Sequence, residues 1–194
     1  MTTEPDAESP SLFYRSAWTA YLILAVIGLF WWGHHHGDIT LGLFIDPETW
    51  WIDLFLGVAA GSVLVALWRL GRCRIEAMRE VEVWMLETIG RLDSSEIFAL
   101  ALISGFSEEL FFRGAMQSSW GWALALGIFT LLHSGPGRAF RFWTLFAFLA
   151  GALFSWLTLF RGSLLPAIVA HIVVNGINMY LLMKDPPLWN TVDT

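Results

Sequence analysis

Long apolar runs recur along the whole chain, and short stretches with polar residues, glycine or proline separate them. Runs of this length and composition are typical of helices that cross a lipid bilayer. They predict an all-α, polytopic transmembrane bundle with about six spans. The predicted spans cover approximately residues 17–32, 50–70, 96 to the glutamate pair at 108–109, 119–133, 142–160 and 164–183.

Residues 71–95 show a different pattern, in which apolar side chains recur at helical spacing among arginines and glutamates. This pattern indicates one amphipathic helix that lies in the membrane interface. The apolar positions are Ile75, Met78, Met85, Ile89 and Leu92.

The same pattern divides the chain into one membrane-embedded domain, residues 17–183, and two tails. Residues 1–16 are expected to form a disordered N-terminal tail, and residues 184–194 a C-terminal tail broken by prolines. Residues 33–48 are expected to form a loop between the first two spans. The first apolar run lacks a basic region before it and a small-residue cleavage site after it, so we interpret it as a retained helix.

Composition supports a membrane protein, since 56% of the residues are hydrophobic and only 14% are charged. A soluble domain has about a quarter of its residues charged. No basic stretch interleaved with aromatic residues indicates a nucleic-acid partner. Cys73 is the only cysteine, so no intrachain disulfide is possible.

The distribution of basic residues predicts the orientation in the membrane. If successive loops lie on alternate sides of the membrane, only Arg113 and Arg161 lie on one side. Arg15 and Lys184 flank the opposite side. By the positive-inside rule both termini are cytoplasmic, in the plasma or inner membrane. The basic residues on the cytoplasmic side are Arg69, Arg72, Arg74, Arg79, Arg91, Arg138 and Arg141.

Two adjacent glutamates and an arginine stand inside a predicted span. Glu109 and Arg113 are four residues apart and share a helix face, so they can pair and lower the cost of both charges. Glu108 lies about 100° further round the helix and is less easily satisfied by the same arginine. We therefore expect Glu109 and Arg113 to support the fold, and Glu108 to take or give a proton.

Two histidines also lie in or at the end of apolar spans. His133 ends the fourth span, and His171 stands four residues before Asn175 in the sixth, with Asn178 further along the same stripe. Ionisable groups at this depth normally face the bundle interior and mark function. Any one of these residues alone is more often a helix-end histidine or a hydrogen bond between helices.

These residues are compatible with two kinds of chemistry. A water held by Glu108, His133 and His171 can be deprotonated and attack a carbonyl, while Asn175 hydrogen-bonds the oxyanion. A divalent metal such as zinc, bound by the same Glu108, His133 and His171, would activate the water equally well. The residue types do not distinguish hydrolysis with a bound metal from hydrolysis without a cofactor.

The segments EELFFR (108–113), FTLLH (129–133) and HIVVN (171–175) have the order and spacing of three motifs of a known family. On these motifs residues 96–180 resemble the CPBP family, the CAAX proteases and bacteriocin-processing enzymes, also called Abi proteins. The stretch RGSLLPAIVAHIVVN is similar to the family's usual approach to its third motif. The chain is shorter than the eukaryotic CAAX prenyl endopeptidases, which implies that peripheral helices are absent.

The resemblance implies a conical helical bundle with a cavity that opens to the bilayer. It also implies an intramembrane endopeptidase in which Glu108 and His133 activate water, and His171 and Asn175 bind the oxyanion or help to hold the water. Family members have been described both as metalloproteases and as metal-free glutamate proteases. The implied substrate is a lipidated peptide or the tail of another membrane protein.

A function of a different class fits the same residues. A non-enzymatic immunity or binding protein, or a small proton-coupled transporter, would also place ionisable groups at bilayer depth. Other protease chemistries are disfavoured, because the chain has no HExxH, and Ser107 and Ser163 lack a GxSxG-like turn. Asp53 is expected to be an interfacial anchor. Three consecutive histidines, His34–His36, cannot all face one metal ion.

Overall fold

A computed structural model describes residues 12–38 and 40–186 of the chain, and every regular element within these residues is a helix. The predicted all-α fold is therefore confirmed. The elements are α1 (Leu12–His36), a 3₁₀ turn (Leu41–Leu43), α2 (Trp50–Arg74), α3 (Glu76–Ile89), α4 (Ser94–Glu108), a π-helix (Glu109–Met116), α5 (Gln117–Trp120), α6 (Trp122–Leu132), α7 (Phe140–Arg161) and α8 (Leu165–Lys184).

Four of these helices, α1, α2, α7 and α8, are long and apolar enough to cross a membrane by length and composition. Fewer helices therefore meet this length and composition criterion than the six spans that the sequence predicts. With 11 residues, α6 is a shorter apolar helix and is about 16 Å long against a hydrocarbon core of about 30 Å. Helix α4 has 15 residues and continues into the π-helix and α5. The exact number of spans therefore stays a prediction.

Helix α1 is longer at both ends than predicted. It begins at Leu12, so the last residues of the predicted N-terminal tail are helical, whereas residues 1–11 lie outside the described part of the chain. It ends at His36, so His34–His36 form its last turn and not a loop. Ring contacts from Phe30 to His34 and from Trp32 to His36 extend the helix past Gly33. Gly37, with φ +81°, then ends it.

The predicted interfacial helix is present but shorter, because α2 continues to Arg74 and only Ile75 separates it from α3. Ile75 has an extended backbone, which ends one helix and starts the next. The apolar face of α3 packs on α2 and α7 through Met78 and Val81. This amphipathic helix therefore covers one end of the bundle.

Helix α8 lies at the centre of the bundle and contacts α2, α4, α7 and the π-helix. Its contact with α2 is very close, because Gly57 and Gly61 face Val169 and Val173. A Cβ atom on these glycines would lie 2.6 Å and 2.7 Å from the respective valine Cβ atoms. Small residues four apart allow two membrane helices to approach in this way.

Helix α4 starts at a complete capping box, which fixes the segment that carries the glutamate pair. The carboxylate of Asp93 accepts hydrogen bonds from the amides of Ser95 and Glu96, at 2.7 Å and 2.8 Å, and Glu96 accepts one from the amide of Asp93. The hydrogen bonds from the Ser95 hydroxyl and the Glu96 amide lower the pKa of Asp93 below its ordinary value.

Candidate active site

Glu108 and Glu109 lie where α4 changes into the π-helix. Glu108 is the last residue of α4, Glu109 is the first of the π-helix, and both side chains are buried. A π-helix widens the backbone turn and is frequent at functional sites. The two carboxylates nevertheless have different partners.

The Glu109 carboxylate accepts hydrogen bonds from two side chains. Arg113 donates from Nη1 at 3.1 Å, which is the predicted pairing, and His171 donates from Nδ1 at 2.7 Å. Arg113 also donates from Nη2 to the carbonyl oxygen of Gly151 at 3.1 Å, and its guanidinium lies 4.3 Å from the centroid of the Phe129 ring. The charge of Glu109 is therefore paired with Arg113 inside the bundle through Oε1, while Oε2 has no hydrogen-bond partner in the described part of the chain.

Glu108 faces two imidazole rings without a direct hydrogen bond to either. Its Oε2 atom lies 3.7 Å from Nε2 of His133 and 4.0 Å from Nε2 of His171. Oε2 has no hydrogen-bond partner among the residues that the structure describes. Polar atoms at such separations are commonly bridged by water. Each of these two separations therefore leaves room for a bridging water.

Both histidines are oriented by hydrogen bonds from their other ring nitrogen. Nδ1 of His133 lies 2.8 Å from the carbonyl oxygen of Phe129, which can only accept, so this nitrogen carries the proton. Nδ1 of His171 donates to Glu109 in the same way. In the neutral rings both Nε2 atoms therefore have a free lone pair on the side of Glu108.

Asn175 lies one turn after His171 on α8. Its Nδ2 donates to Oγ of Ser104 at 3.0 Å, and that hydroxyl donates to the carbonyl oxygen of Ala101 at 3.3 Å. This chain of hydrogen bonds fixes the amide while one of its two N–H groups stays available.

A cavity of about 200 Å³ brings the predicted site residues together. Glu108, His133, His171 and Asn175 all line it, and Asn178 of the predicted polar stripe does so as well. Its apolar wall comes from α1, α2, α3, α4, α7 and α8. The apolar lining residues are Phe13, Trp68, Met85, Ile89, Leu100, Trp143, Phe146, Val174, Met179 and Leu182.

Three polar residues of this cavity were not predicted from the sequence: Tyr21, Glu82 and Ser104. Tyr21 lies on α1 and lines the same cavity as Glu108. Glu82 accepts from Nε1 of Trp68 at 2.9 Å and pairs with Nε of Arg72 at 2.9 Å. Burial raises the pKa of Glu82 above its ordinary value, although both partners oppose the shift. The sequence gives one indication of Tyr21, since its side chain carries a hydroxyl within the first apolar run.

No group of three or more His, Cys, Asp or Glu side chains in residues 12–38 and 40–186 is placed to hold a metal ion. Zinc ligands lie about 2.0–2.2 Å from the ion, which places tetrahedral ligand atoms about 3.4 Å apart. The separations of 3.7 Å and 4.0 Å around Glu108 are wider. The metal alternative stays a prediction.

Asp53 is not the interfacial anchor that we expected from the sequence. It is fully buried, pairs with Nε of Arg161 and accepts from Oγ of Ser163 at 2.7 Å. Arg161 also donates to Oγ1 of Thr49 at 2.6 Å. The sequence could not show this, because Arg161 reaches Asp53 only once α7 and α2 have packed. This network does not line the cavity around Glu108.

The fold and the site define a helical integral membrane protein with a buried carboxylate and two histidines in an apolar cavity. Residues 92–177 match the model of a family described as type II CAAX prenyl endopeptidase Rce1-like. This segment is therefore similar to the type II CAAX prenyl endopeptidase family, which confirms the resemblance inferred from the three motifs. No curated protein and no solved structure matches the chain. The matched segment contains Glu108, His133, His171 and Asn175, whereas α1, α2 and α3 precede it.

Proposed function

We propose that this protein is an intramembrane endopeptidase in which Glu108 and His133 activate a water to hydrolyse a peptide bond. The Rce1-like domain supports protease activity in general. The observation that carries the proposal is the position of Glu108 Oε2, at 3.7 Å and 4.0 Å from two histidine Nε2 atoms inside an apolar cavity. Glu108, unlike Glu109, lines the cavity, where a carboxylate can accept a proton from a bound water.

In this mechanism the water lies between Glu108 and the two rings and loses a proton to Glu108 as its oxygen attacks the carbonyl carbon. The developing oxyanion is stabilised by the free N–H of Asn175, which Ser104 holds in position. His171 adds a second donor when its ring is protonated. Glu108 then returns the proton to the leaving amine, and the carbon–nitrogen bond breaks.

The proposed substrate is a lipidated peptide or the tail of another membrane protein. Aromatic, aliphatic and methionine side chains make up most of the cavity wall, and they favour an apolar occupant. The bilayer supplies such a substrate directly to a membrane-embedded enzyme.

We also propose that both termini are cytoplasmic and that the membrane is the plasma or inner membrane. The ring contact between Trp84 and Phe140 places α3 beside the start of α7, so Arg138 and Arg141 lie at the same end as the basic residues around α3. The basic end is the cytoplasmic end by the positive-inside rule.

The proposal is tested with membranes that carry the wild type, Glu108→Gln or the control Glu87→Gln at matched expression, followed by proteomics of protein termini. Glu87 is an exposed glutamate on α3. We expect new termini with the wild type and the control and none with Glu108→Gln, because loss of a general base costs about 10²–10⁴-fold in rate. Equal termini with wild type and Glu108→Gln, in a variant that melts like the wild type, would refute the proposal.

A proton relay for transport is the competing function, because Glu108, His133 and His171 lie close enough to pass protons. Asn175 distinguishes the two functions, since hydrolysis uses its amide and a relay does not. In Asn175→Ala we expect peptidase activity to fall about 10²–10³-fold. Intact proton flux into liposomes, lost only in Glu108→Gln, would favour the relay instead.

A further inference from the structure

A second cavity lies at the end of the bundle away from α3, where α7 ends. Its volume is about 170 Å³, and it is bordered by the last turns of α1 and α7, the turn after α7, and α5. Among the described residues it shares none of its lining with the cavity around Glu108. It is therefore a separate site, and much of its wall can form hydrogen bonds. The polar and charged lining residues are Arg113, Gln117, Ser118, Thr158 and Ser163.

Two polar atoms in this wall are buried without a hydrogen-bond partner in the residues that the structure describes. They are Oε1 of Gln117 and Oγ1 of Thr158. Gln117 is only 6% exposed, and its Nε2 already donates to the carbonyl oxygen of Ser155 at 3.4 Å, so Oε1 is the atom left without a donor. Buried polar atoms in folded proteins are satisfied by protein groups or by ordered water. A cavity of this size with several polar groups has room for water, whereas an apolar cavity stays dry.

Ser118 places the mouth of this cavity at the surface of the bundle. It is exposed, and its hydroxyl lies 2.9 Å from Nε2 of His36 in the exposed last turn of α1. Both residues are polar and belong to the ends of helices, so the mouth is close to the membrane surface. Water can therefore reach the cavity from this end of the bundle.

A row of polar side chains leads from this cavity to the candidate active site. Gln117, Arg113 and Glu109 are spaced four residues apart along α5 and the π-helix. Arg113 lines the cavity and pairs with Glu109 at 3.1 Å, and Glu109 accepts from His171 at 2.7 Å. Oε2 of Glu109 is a further buried acceptor without a partner in the described part of the chain. Along this row the pair of Arg113 and Glu109 therefore separates the second cavity from His171.

We propose that the second cavity binds water and supplies it along this row to the candidate active site. The inference rests on the proposed function, in which each peptide bond consumes one water. The wall of the cavity around Glu108 is mostly apolar, so an apolar substrate in it displaces water and closes that approach. A supply from the other end brings the next water in behind the bound substrate. Gln117, Thr158 and Glu109 provide the buried polar atoms that such waters bind.

Thiol labelling tests whether the cavity holds water. Cys73 is the only cysteine, so Cys73→Ser gives a thiol-free background in which Thr158→Cys places one thiol in the cavity wall. We expect the water-soluble reagent 2-sulfonatoethyl methanethiosulfonate to modify this thiol in protein reconstituted in lipid nanodiscs, because the reacting form is the hydrated thiolate. Gln117→Cys places a thiol at a second position in the same wall and should be modified as well.

The matched control is Ser107→Cys in the same background. Ser107 is fully buried, its hydroxyl also lacks a partner in the described part of the chain, and it lines neither cavity. We expect this thiol to stay unmodified. Thiols that stay unmodified in both Thr158→Cys and Gln117→Cys, or a Ser107→Cys thiol that reacts equally fast, would overturn the water site.

The attached group then tests the supply of water, because it fills part of the cavity and dithiothreitol removes it again. The substrate is a peptide that spans a cleavage site found by the proteomics of termini. We expect modification of Thr158→Cys to lower kcat about fivefold, equivalent to one lost hydrogen bond to water, and to leave KM unchanged. Dithiothreitol should restore kcat, and the thiol-free background should keep its kcat throughout.

Two outcomes separate this inference from the proposed function. A modified Thr158→Cys thiol with unchanged kcat would overturn the supply of water through this cavity. Peptidase activity that persists in Glu108→Gln would instead refute the proposed function, whatever the labelling shows.

Discussion

Glu109→Gln is the sharpest test of the expectation that Glu109 and Arg113 support the fold. The glutamine side chain keeps the shape of the original and an oxygen that can accept from Nδ1 of His171. The substitution removes the negative charge that faces Arg113 at 3.1 Å. Because both side chains are almost completely buried, solvent does not screen the arginine charge that is left.

The expected loss of stability follows from the remaining contacts of Arg113. Removing one partner of a buried ion pair costs about 3–5 kcal/mol, since the other charge stays buried. Arg113 keeps its hydrogen bond to Gly151 and the Phe129 ring at 4.3 Å, and a desolvated cation–π contact contributes about 2 kcal/mol. These contacts compensate part of the charge. We therefore expect Glu109→Gln to lower the free energy of unfolding by about 3 kcal/mol.

The assay is a double-mutant cycle of unfolding in mixed micelles, titrated with sodium dodecyl sulfate. Combining Glu109→Gln with Arg113→Met removes the buried charge as well, and we expect it to restore about 2 kcal/mol. The exposed-site control Glu87→Gln should change stability by less than about 0.5 kcal/mol. A loss below about 1 kcal/mol in Glu109→Gln, or a double variant as unstable as the single one, would refute this reasoning.

Three further predictions concern helix packing and the site. Gly61→Ala should lower the free energy of unfolding by about 1–3 kcal/mol in the same titration, because its Cβ would lie 2.7 Å from Cβ of Val173. The control Gly127→Ala, whose Cβ would have nothing within 4 Å, should not be destabilised. Equal losses in the two variants would contradict the close packing. Ser104→Ala should lower kcat/KM about fivefold by releasing Asn175, and an unchanged value would show that the amide needs no support. Treatment with 1,10-phenanthroline should leave peptidase activity unchanged, and a loss that zinc restores would establish the metal alternative.

Hydropathy predicted the long helices well because apolar residues recur along the whole length of each one. Trp50 starts α2 as predicted, and Pro166 lies in the first turn of α8 where it costs no hydrogen bond. The fourth predicted span was placed wrongly at its start, since residues 119 and 120 belong to α5. Gly121, with φ +89°, separates the two helices, and an apolar pattern does not register such a break.

The site residues could be predicted because their charges conflict with an apolar helix, whatever the tertiary structure. Glu108, His133 and His171 stood out for this reason, and the structure brings all three to one cavity. Tyr21 did not stand out, since tyrosine is ordinary in membrane helices and its position in the cavity depends on how α1 packs on α4. The spacing of apolar residues in the sequence also does not indicate the change into a π-helix at Glu109.

The different functions that we propose for Glu108 and Glu109 follow from their surroundings, since the two side chains are chemically identical. Glu109 accepts from a guanidinium and an imidazole and is completely enclosed, so it holds Arg113 and His171 in place. Glu108 lines the cavity and faces the Nε2 atoms of His133 and His171 beyond hydrogen-bond distance, so a proton can arrive and leave there. The same substitution, Glu to Gln, should therefore act on folding at position 109 and on turnover at position 108.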